Sequence, residues 1–204
     1  MNFYIFKKMD TILDKINVTP LNNIDKSILE FLQISLRNIF KKETCMLDKI
    51  NVPKNSFDQS RNQHNANKIL NYLIENLPLK NIQDINLAIL DLDIFVPSLN
   101  FVFGLAVDFP RICLISIARL NPLFYTCFNY GLKSKSLTLR LTKKEKNIFE
   151  ERILKEAVHE IGHTLGLNHC SNYKCVMYFS NTLLDTDKKS YNFCSNCLNT
   201  LNRK

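Results

Sequence analysis

Three of the four histidines in this 204-residue chain fall in one short run, H-E-I-G-H-T-L-G-L-N-H, from His159 to His169. His159 and His163 are four apart, one turn of helix, so two imidazoles can reach one ion at roughly 2.0 to 2.1 Å each. At about 100° per residue, Leu154, Val158, Ile161 and Leu165 share a stripe that predicts the core-facing side, and the two histidines point the other way, toward a cleft. Gly166 can adopt a left-handed conformation, which ends the helix and turns the chain so that His169 approaches the same ion from a second direction. Three protein ligands leave one coordination position open, the arrangement of a catalytic zinc. Glu160 lies beside the ligands but is rotated off their axis, so it is expected as a general base acting on water, on the exposed cleft side of the helix. A bare H-E-x-x-H arises by chance on charged helices; the added glycine, the third histidine and Met177, eight residues beyond it, make the pattern specific.

A second cluster follows at once. Cys170, Cys175, Cys194 and Cys197 form a C-x-x-x-x-C and a C-x-x-C pair. Four thiolates are the composition of a closed, tetrahedral structural zinc site, and disulfide pairing is the competing reading, suited to an oxidising compartment. Because Cys170 abuts His169, a second zinc would lock the loop that presents the third histidine. The expected cofactors are therefore two zinc ions per chain, one catalytic and one structural. Cys45, Cys113 and Cys127 sit among apolar residues and are expected as small core side chains.

The combined run H-E-x-x-H-x-x-G-x-x-H-C-x-x-x-x-C-x-M, closing with C-x-x-C, resembles the archaemetzincins, a branch of the metzincin zinc metalloproteases. Asp91-Leu92-Asp93, Val96-Pro97, Asn100 to Ala106 and Ser116 to Leu120 extend the resemblance, which covers most of residues 20 to 200; nothing before about Asp10 carries it. The resemblance implies a peptidase that uses zinc-activated water, with a peptide or protein substrate aligned along an edge strand above the cleft, here Phe101 to Val107. It also implies a turn at Met177, whose sulfur packs beneath the histidines without ligating. Tyr178 is a candidate to stabilise an oxyanion. Arg61 and Gln63 look like family features without a stated role. The alternative function is a catalytically silent zinc-binding interaction module, against which an intact Glu160 argues. Aminopeptidase and endopeptidase activities are not distinguished.

These residues need a frame to hold them. Asp25 can cap a helix running to about Phe40, with Ile28, Phe31, Leu32, Leu36 and Ile39 on one face. Thr44 to Val52 reads as a strand ended by Pro53, Lys54 to Asn65 as a polar loop in which His64 is a surface or cap residue, and Asn67 to Asn76 as a helix burying Ile69, Leu70, Leu73 and Ile74. Leu87 to Phe95, Phe101 to Val107 and Ile112 to Ala118 are apolar runs, expected as strands covered on both faces. In the second of these, Gly104 suits close approach of another backbone or marks a bulge. Leu120 to Leu141 reads as an irregular connection, after which Thr142 or a neighbour caps the histidine-bearing helix through Phe149, Ile153 and Ala157. The fold expected is α+β and metzincin-like: a twisted mixed β-sheet with helices, an active-site helix, and a small C-terminal subdomain with the four-cysteine zinc site. Residues 1–169 make the catalytic part and 170–204 the C-terminal part of one compact domain.

Composition narrows the partners. A chain 46% hydrophobic and 23% charged is ordinary for a globular protein. The net charge of +8 comes from scattered lysine pairs such as Lys41-Lys42 and Lys188-Lys189, with no arginine-rich block, so neither nucleic acid nor membrane is an expected partner. Met1 to Phe6 is apolar but too short for a secretory signal and has no basic segment before it. The chain is expected in the reducing cytoplasm, as a monomer.

Overall fold

One interior strand of the sheet is not marked by hydropathy. Lys15–Leu21 (β1) contains Asn17, Thr19 and Pro20, which break any apolar alternation, yet all but its first residue are buried. A computed structural model describes residues 13–79, 81–125 and 141–203 of the chain. Among these, β1 pairs in parallel with Glu43–Met46 (β2) on one side and Ile85–Leu90 (β5) on the other. Ile112–Ser116 (β8) extends the sheet in parallel from β5, and Gly104–Val107 (β7) closes it antiparallel to β8, giving the order β2-β1-β5-β8-β7. The sheet is therefore mixed, with β7 at its edge as the resemblance implies.

Both faces of the sheet are covered, which explains its continuous apolar runs. Leu87, Ile89, Cys113 and Ile115 point into a core shared with Lys26–Phe40 (α1) and Lys143–Thr164 (α3). Ala88, Leu90, Ile112 and Leu114 point the other way, against Ala66–Asn76 (α2). Helix α1 begins where Asp25 accepts a hydrogen bond from the Ser27 N–H at 2.7 Å, and ends at Lys41 in the left-handed region, φ 54°. Helix α3 begins with a reciprocal box: Glu145 N–H donates to Thr142 Oγ1 at 3.3 Å and Thr142 N–H to Glu145 Oε2 at 2.8 Å.

Several expected boundaries move. Thr44 to Val52 is not one strand: after β2 the side chains of Asp48, Lys49 and Asn51 are exposed, and the chain returns to β1 through an isolated Leu21–Ile50 bridge. The polar loop at 54–65 contains two short strands, Phe57–Asp58 (β3) and Gln63–Asn65 (β4). Leu87 to Phe95 divides in two, because a bend at 91–93 sends Ile94–Phe95 (β6) to pair with β4 in a second, three-stranded sheet, β3-β4-β6. Phe101 to Val107 is a strand only from Gly104, and β7 is half-buried, since an edge strand lacks a neighbour on one side. Cys45 is not a core residue; it is partly exposed, with its thiol 3.4 Å from Glu43 Oε1. Cys113 is buried as expected, whereas Cys127, Tyr130 and Gly131 lie outside the described residues. Two short helices, Leu183–Lys188 (α4) and Ser195–Arg203 (α5), complete the fold.

Candidate active site and metal centres

Helix α3 sets the first two histidines. Leu154, Val158, Ile161 and Leu165 are buried in the core as the helical stripe requires. His159 Nδ1 lies 2.7 Å from Val176 O and His163 Nδ1 lies 2.7 Å from Leu167 O. A carbonyl can only accept, so both Nδ1 atoms carry the proton and both Nε2 lone pairs are left free. Those two Nε2 atoms are 3.1 Å apart. The spacing fits a shared ion, since two nitrogens at 2.0 to 2.1 Å in a tetrahedral arrangement stand about 3.4 Å from each other. Gly166, at φ 79°, makes the left-handed turn after the helix. His169 then returns from the loop, and one ligand atom from each of the three histidines lies within 4.8 Å of the others. Burial, with Lys189 and His163 adding positive charge, pushes His159 well below the usual histidine range; burial likewise lowers His163 and His169. The neutral imidazole so favoured is the form that binds metal.

Glu160 faces the same space but is not exposed. Its carboxyl is buried, because the edge strand presses on it: a Cβ built at Gly104 would stand 2.6 Å from Glu160 Cγ and Oε1. Close approach is thus the reason for Gly104, made by a side chain of α3. One turn earlier Glu156 is buried too and lines the same cleft. Burial, then the neighbouring Glu156 carboxylate, raises the Glu160 pKa well above the ordinary value. Against these stands one cation. Lys189 Nζ lies 3.8 Å from Glu156 Oε2 and donates to Tyr178 O at 3.3 Å. Histidines and carboxylates line a cleft of about 460 Å³, walled by Val96 and Leu99 to Ala106 on one side and by Phe179, Ser180, Asn181 and Lys189 on the other.

The four cysteines also converge, their sulfurs within 4.8 Å of one another. Cys170 and Cys194 sulfurs are 3.7 Å apart, as are those of Cys175 and Cys197. A disulfide requires about 2.05 Å, whereas sulfurs at 2.3 Å from a tetrahedral zinc stand about 3.8 Å apart. The arrangement therefore fits a metal and not a bridge. Burial raises the Cys175 and Cys197 thiols. At Cys194 burial is outweighed by hydrogen bonds from the Cys197 N–H and from the Cys175 and Cys170 thiols, which bring it down to about 7. The loop is tied back under the histidines by Cys170 N–H to Met177 O, 2.9 Å. Met177 is fully buried, and its sulfur occupies the space that a Cβ at Gly162 would need.

Other expectations fare differently. Tyr178 meets the site through its carbonyl, which accepts a hydrogen bond from Lys189 Nζ at 3.3 Å. His64 is half-buried in β4, hydrogen-bonded to Ser56 Oγ at 2.8 Å and packed on Phe57, away from the other histidines. Arg61 and Gln63 acquire a structural role: Gln63 Nε2 donates to Asp93 Oδ2 and Asn100 O, and Arg61 donates to Gln63 Oε1, Leu99 O and Asn100 O, each at 3.0 Å. Glu156, Lys189 and Phe179, whose ring lies 4.7 Å from that of His169, belong to the site without having been expected. Glu156 had a signal, its place four residues before Glu160 on the same helical face. Lys189 had none, since its neighbour Lys188 looks identical in sequence.

Known proteins resemble the chain over nearly its whole length. The model of peptidase family M54 matches residues 9–203. The archaemetzincin of Methanocaldococcus jannaschii is 39% identical over 188 residues, 92% of each chain, and that of Pyrococcus abyssi is 34% identical, covering 91% of this chain and 93% of its own. Among solved structures, the archaemetzincin of Archaeoglobus fulgidus, crystallised with malonate, is 34% identical with a TM-score of 0.71, covering 91% of this chain and 98% of its own. That of Methanopyrus kandleri is 29% identical with a TM-score of 0.73 and 94% of each chain covered. A zinc-dependent peptidase from Methanocorpusculum labreanum is 25% identical with a TM-score of 0.74, over 91% of this chain and 99% of its own. With a family model spanning nearly the whole chain, and relatives alike in both sequence and backbone, the chain belongs to peptidase family M54, the archaemetzincins.

Proposed function

We propose that the chain hydrolyses peptide bonds at the three-histidine site, with His159, His163 and His169 as zinc ligands and Glu160 as the general base. The observation that carries this reading is the pair of Nε2 atoms 3.1 Å apart, each freed by an Nδ1–H held on a carbonyl, in the same cleft as a buried carboxyl group. When bound, zinc supplies a Lewis acid that polarises a peptide carbonyl and acidifies water. The residues of the chain do the rest. The outer edge of β7 faces the cleft and offers backbone N–H and C=O groups to an extended peptide, which aligns the scissile bond across the histidines. Glu160 Oε1, lying against Gly104, takes the proton from the attacking water and delivers it to the leaving nitrogen. The ring of Phe179 packs at a tilt against that of His169 and gives the exposed third histidine an apolar neighbour.

The second ion is structural. Cys170, Cys175, Cys194 and Cys197 close a four-thiolate sphere with no place for substrate, so its contribution is folding free energy. Residues 170–204 then form a small part that keeps His169 and Met177 in place within one compact domain. Thiols held at zinc spacing suit a reducing compartment, the cytoplasm, and scattered basic residues suit a monomer acting on peptides or proteins and not on nucleic acid or membranes.

Turnover of a mixed peptide library, measured beside Glu160→Gln, tests the assignment. Wild type should cleave with two zinc ions per chain, and the variant should lose about three orders of magnitude in rate or more, with zinc content and melting midpoint unchanged. Equal, negligible cleavage by both proteins would instead mark a zinc-binding module without catalysis.

A further inference from the structure

A cleft that must work beside zinc has an unexpected electrostatic foundation. Glu156 and Glu160 lie one turn apart on one face of α3, both buried and both lining the same cleft. Two carboxyl groups in so dry a place repel when charged, and the chain offers no reason in the core itself for tolerating them. The compensating group arrives from elsewhere. Lys189, the residue at the C-terminal end of α4, is itself fully buried, and its side chain reaches beneath α3 to within 3.8 Å of Glu156 Oε2. That oxygen has no hydrogen-bond partner of its own. The same ammonium donates to Tyr178 O, immediately after Met177 in the segment under the histidines. Lys189 therefore joins three pieces: the floor segment, the end of α4, and the carboxyl pair on α3. Helix α4 is held in the right place by a separate set of bonds, with Arg152 bidentate on Asp187 at 2.7 Å and Lys155 Nζ on Asp187 O at 3.0 Å, so delivery of Lys189 does not depend on Lys189 alone.

We propose that Lys189 and Glu156 are positioning residues for the reaction, the buried ammonium fixing the Glu156 carboxyl and that carboxyl in turn holding Glu160 turned toward the histidines and against Gly104. Neither touches the reacting atoms. The proposal rests on Glu160 being the general base, and it adds the device that aims it. The Glu160 side chain has three rotatable bonds, and Gly104 packs against one side of it. A carboxylate misplaced by about 1 Å costs on the order of 100-fold in rate.

The test is a double-mutant cycle on the full, zinc-loaded chain, with Lys189→Met, Glu156→Gln and the pair together, read in two ways. In thermal unfolding, Lys189→Met alone leaves a buried carboxyl pair without its cation and should lower the midpoint by about 10 °C, while the double variant should recover much of that loss. In steady-state cleavage, well below those midpoints, Lys189→Met should lower kcat by about 100-fold with KM unchanged and both zinc ions retained; a residue serving only the fold would leave kcat of the folded fraction alone. Additive midpoint shifts in the cycle overturn the clamp. A coupled cycle with wild-type kcat in Lys189→Met overturns the positioning role while leaving Glu160 as base, provided Glu160→Gln is inactive. A Glu160→Gln protein that cleaves like wild type refutes the base itself and the positioning role with it. If the wild-type chain shows no turnover, the peptidase reading fails, and the thermal cycle still decides whether the clamp exists.

Discussion

At the scale of single residues, the site depends on two contacts that tolerate no extra atom. Gly104 and Gly162 are the points where β7 and the Met177 turn come closest to α3. A methyl group at Gly104 would meet the Glu160 side chain at 2.6 Å, and the yielding partner is a flexible carboxyl arm. Gly104→Ala should therefore fold, lose about 1 to 3 kcal/mol of stability, and lose about 100-fold in kcat because Glu160 is pushed aside. Normal kcat in a stably folded Gly104→Ala protein would mean that the carboxyl group is not working where it lies. Both histidine tautomers are likewise set by single carbonyls, Val176 O and Leu167 O. That detail is invisible in a motif, because the motif names ligands and not what holds them.

At the scale of elements, the turn of chain from His169 to Cys197 has little core of its own. Val176 and Met177 are buried, but residues 171–174 are exposed, and α4 and α5 are short. Phe193 packs edge-on against Phe40 of α1, ring centres 6.3 Å apart, which is one of few aromatic anchors for this part. The four-cysteine site must supply the remainder. Cys194→Ser should lower the melting midpoint by about 10 °C or more and bring activity down with it, since His169 precedes Cys170 directly. Zinc analysis and unfolding curves of that variant decide the matter; a wild-type midpoint with two ions bound would refute a structural role for the cysteines. The contrast with Glu160→Gln, which should alter rate and nothing else, separates the two metals.

At the scale of the whole molecule, the cleft lies between the edge of the five-stranded sheet and the C-terminal segment that carries Phe179 and Lys189. One wall belongs to the edge of the five-stranded sheet, and its upper rim, residues 96–103, is fixed by polar bonds that converge on Asp93. Arg119 Nε and a terminal nitrogen bind Asp93 at 2.6 and 2.8 Å, Gln63 binds it at 3.0 Å, and the Arg119 guanidinium lies 4.2 Å over the Phe101 ring. This network ties the small β3-β4-β6 sheet to the rim. Asp93→Ala removes the shared acceptor, so the rim should loosen: KM should rise about tenfold with kcat little changed, and stability should fall by about 2 kcal/mol. Steady-state kinetics and denaturant unfolding read both. A changed kcat at constant KM would place Asp93 in the chemistry and not in the rim.

Much of this was legible in the letters, and the boundary has a physical cause. The spacing of His159, His163 and His169, the turn at Gly166 and the four cysteines are local: helical pitch and a left-handed glycine bring such residues together over at most a few tens of positions, so residue type and interval decide the chemistry. The cap at Thr142, the α1 and α2 helices and the doubly covered strands β5 and β8 were legible for the same reason, each being a pattern within one segment. What required the tertiary structure was everything that depends on a partner far along the chain. β1 is an interior strand because β2 and β5 flank it, not because its own residues are apolar. Cys45 is near the surface because β2 is the far edge of the sheet. The burial of Glu160 comes from Gly104, the choice of Lys189 over Lys188 comes from where α4 ends, and the joint work of Arg61, Gln63, Asp93 and Arg119 comes from two sheets meeting. Such contacts link residues tens of positions apart, and no periodicity within a segment encodes which of two equal lysines will be carried inward.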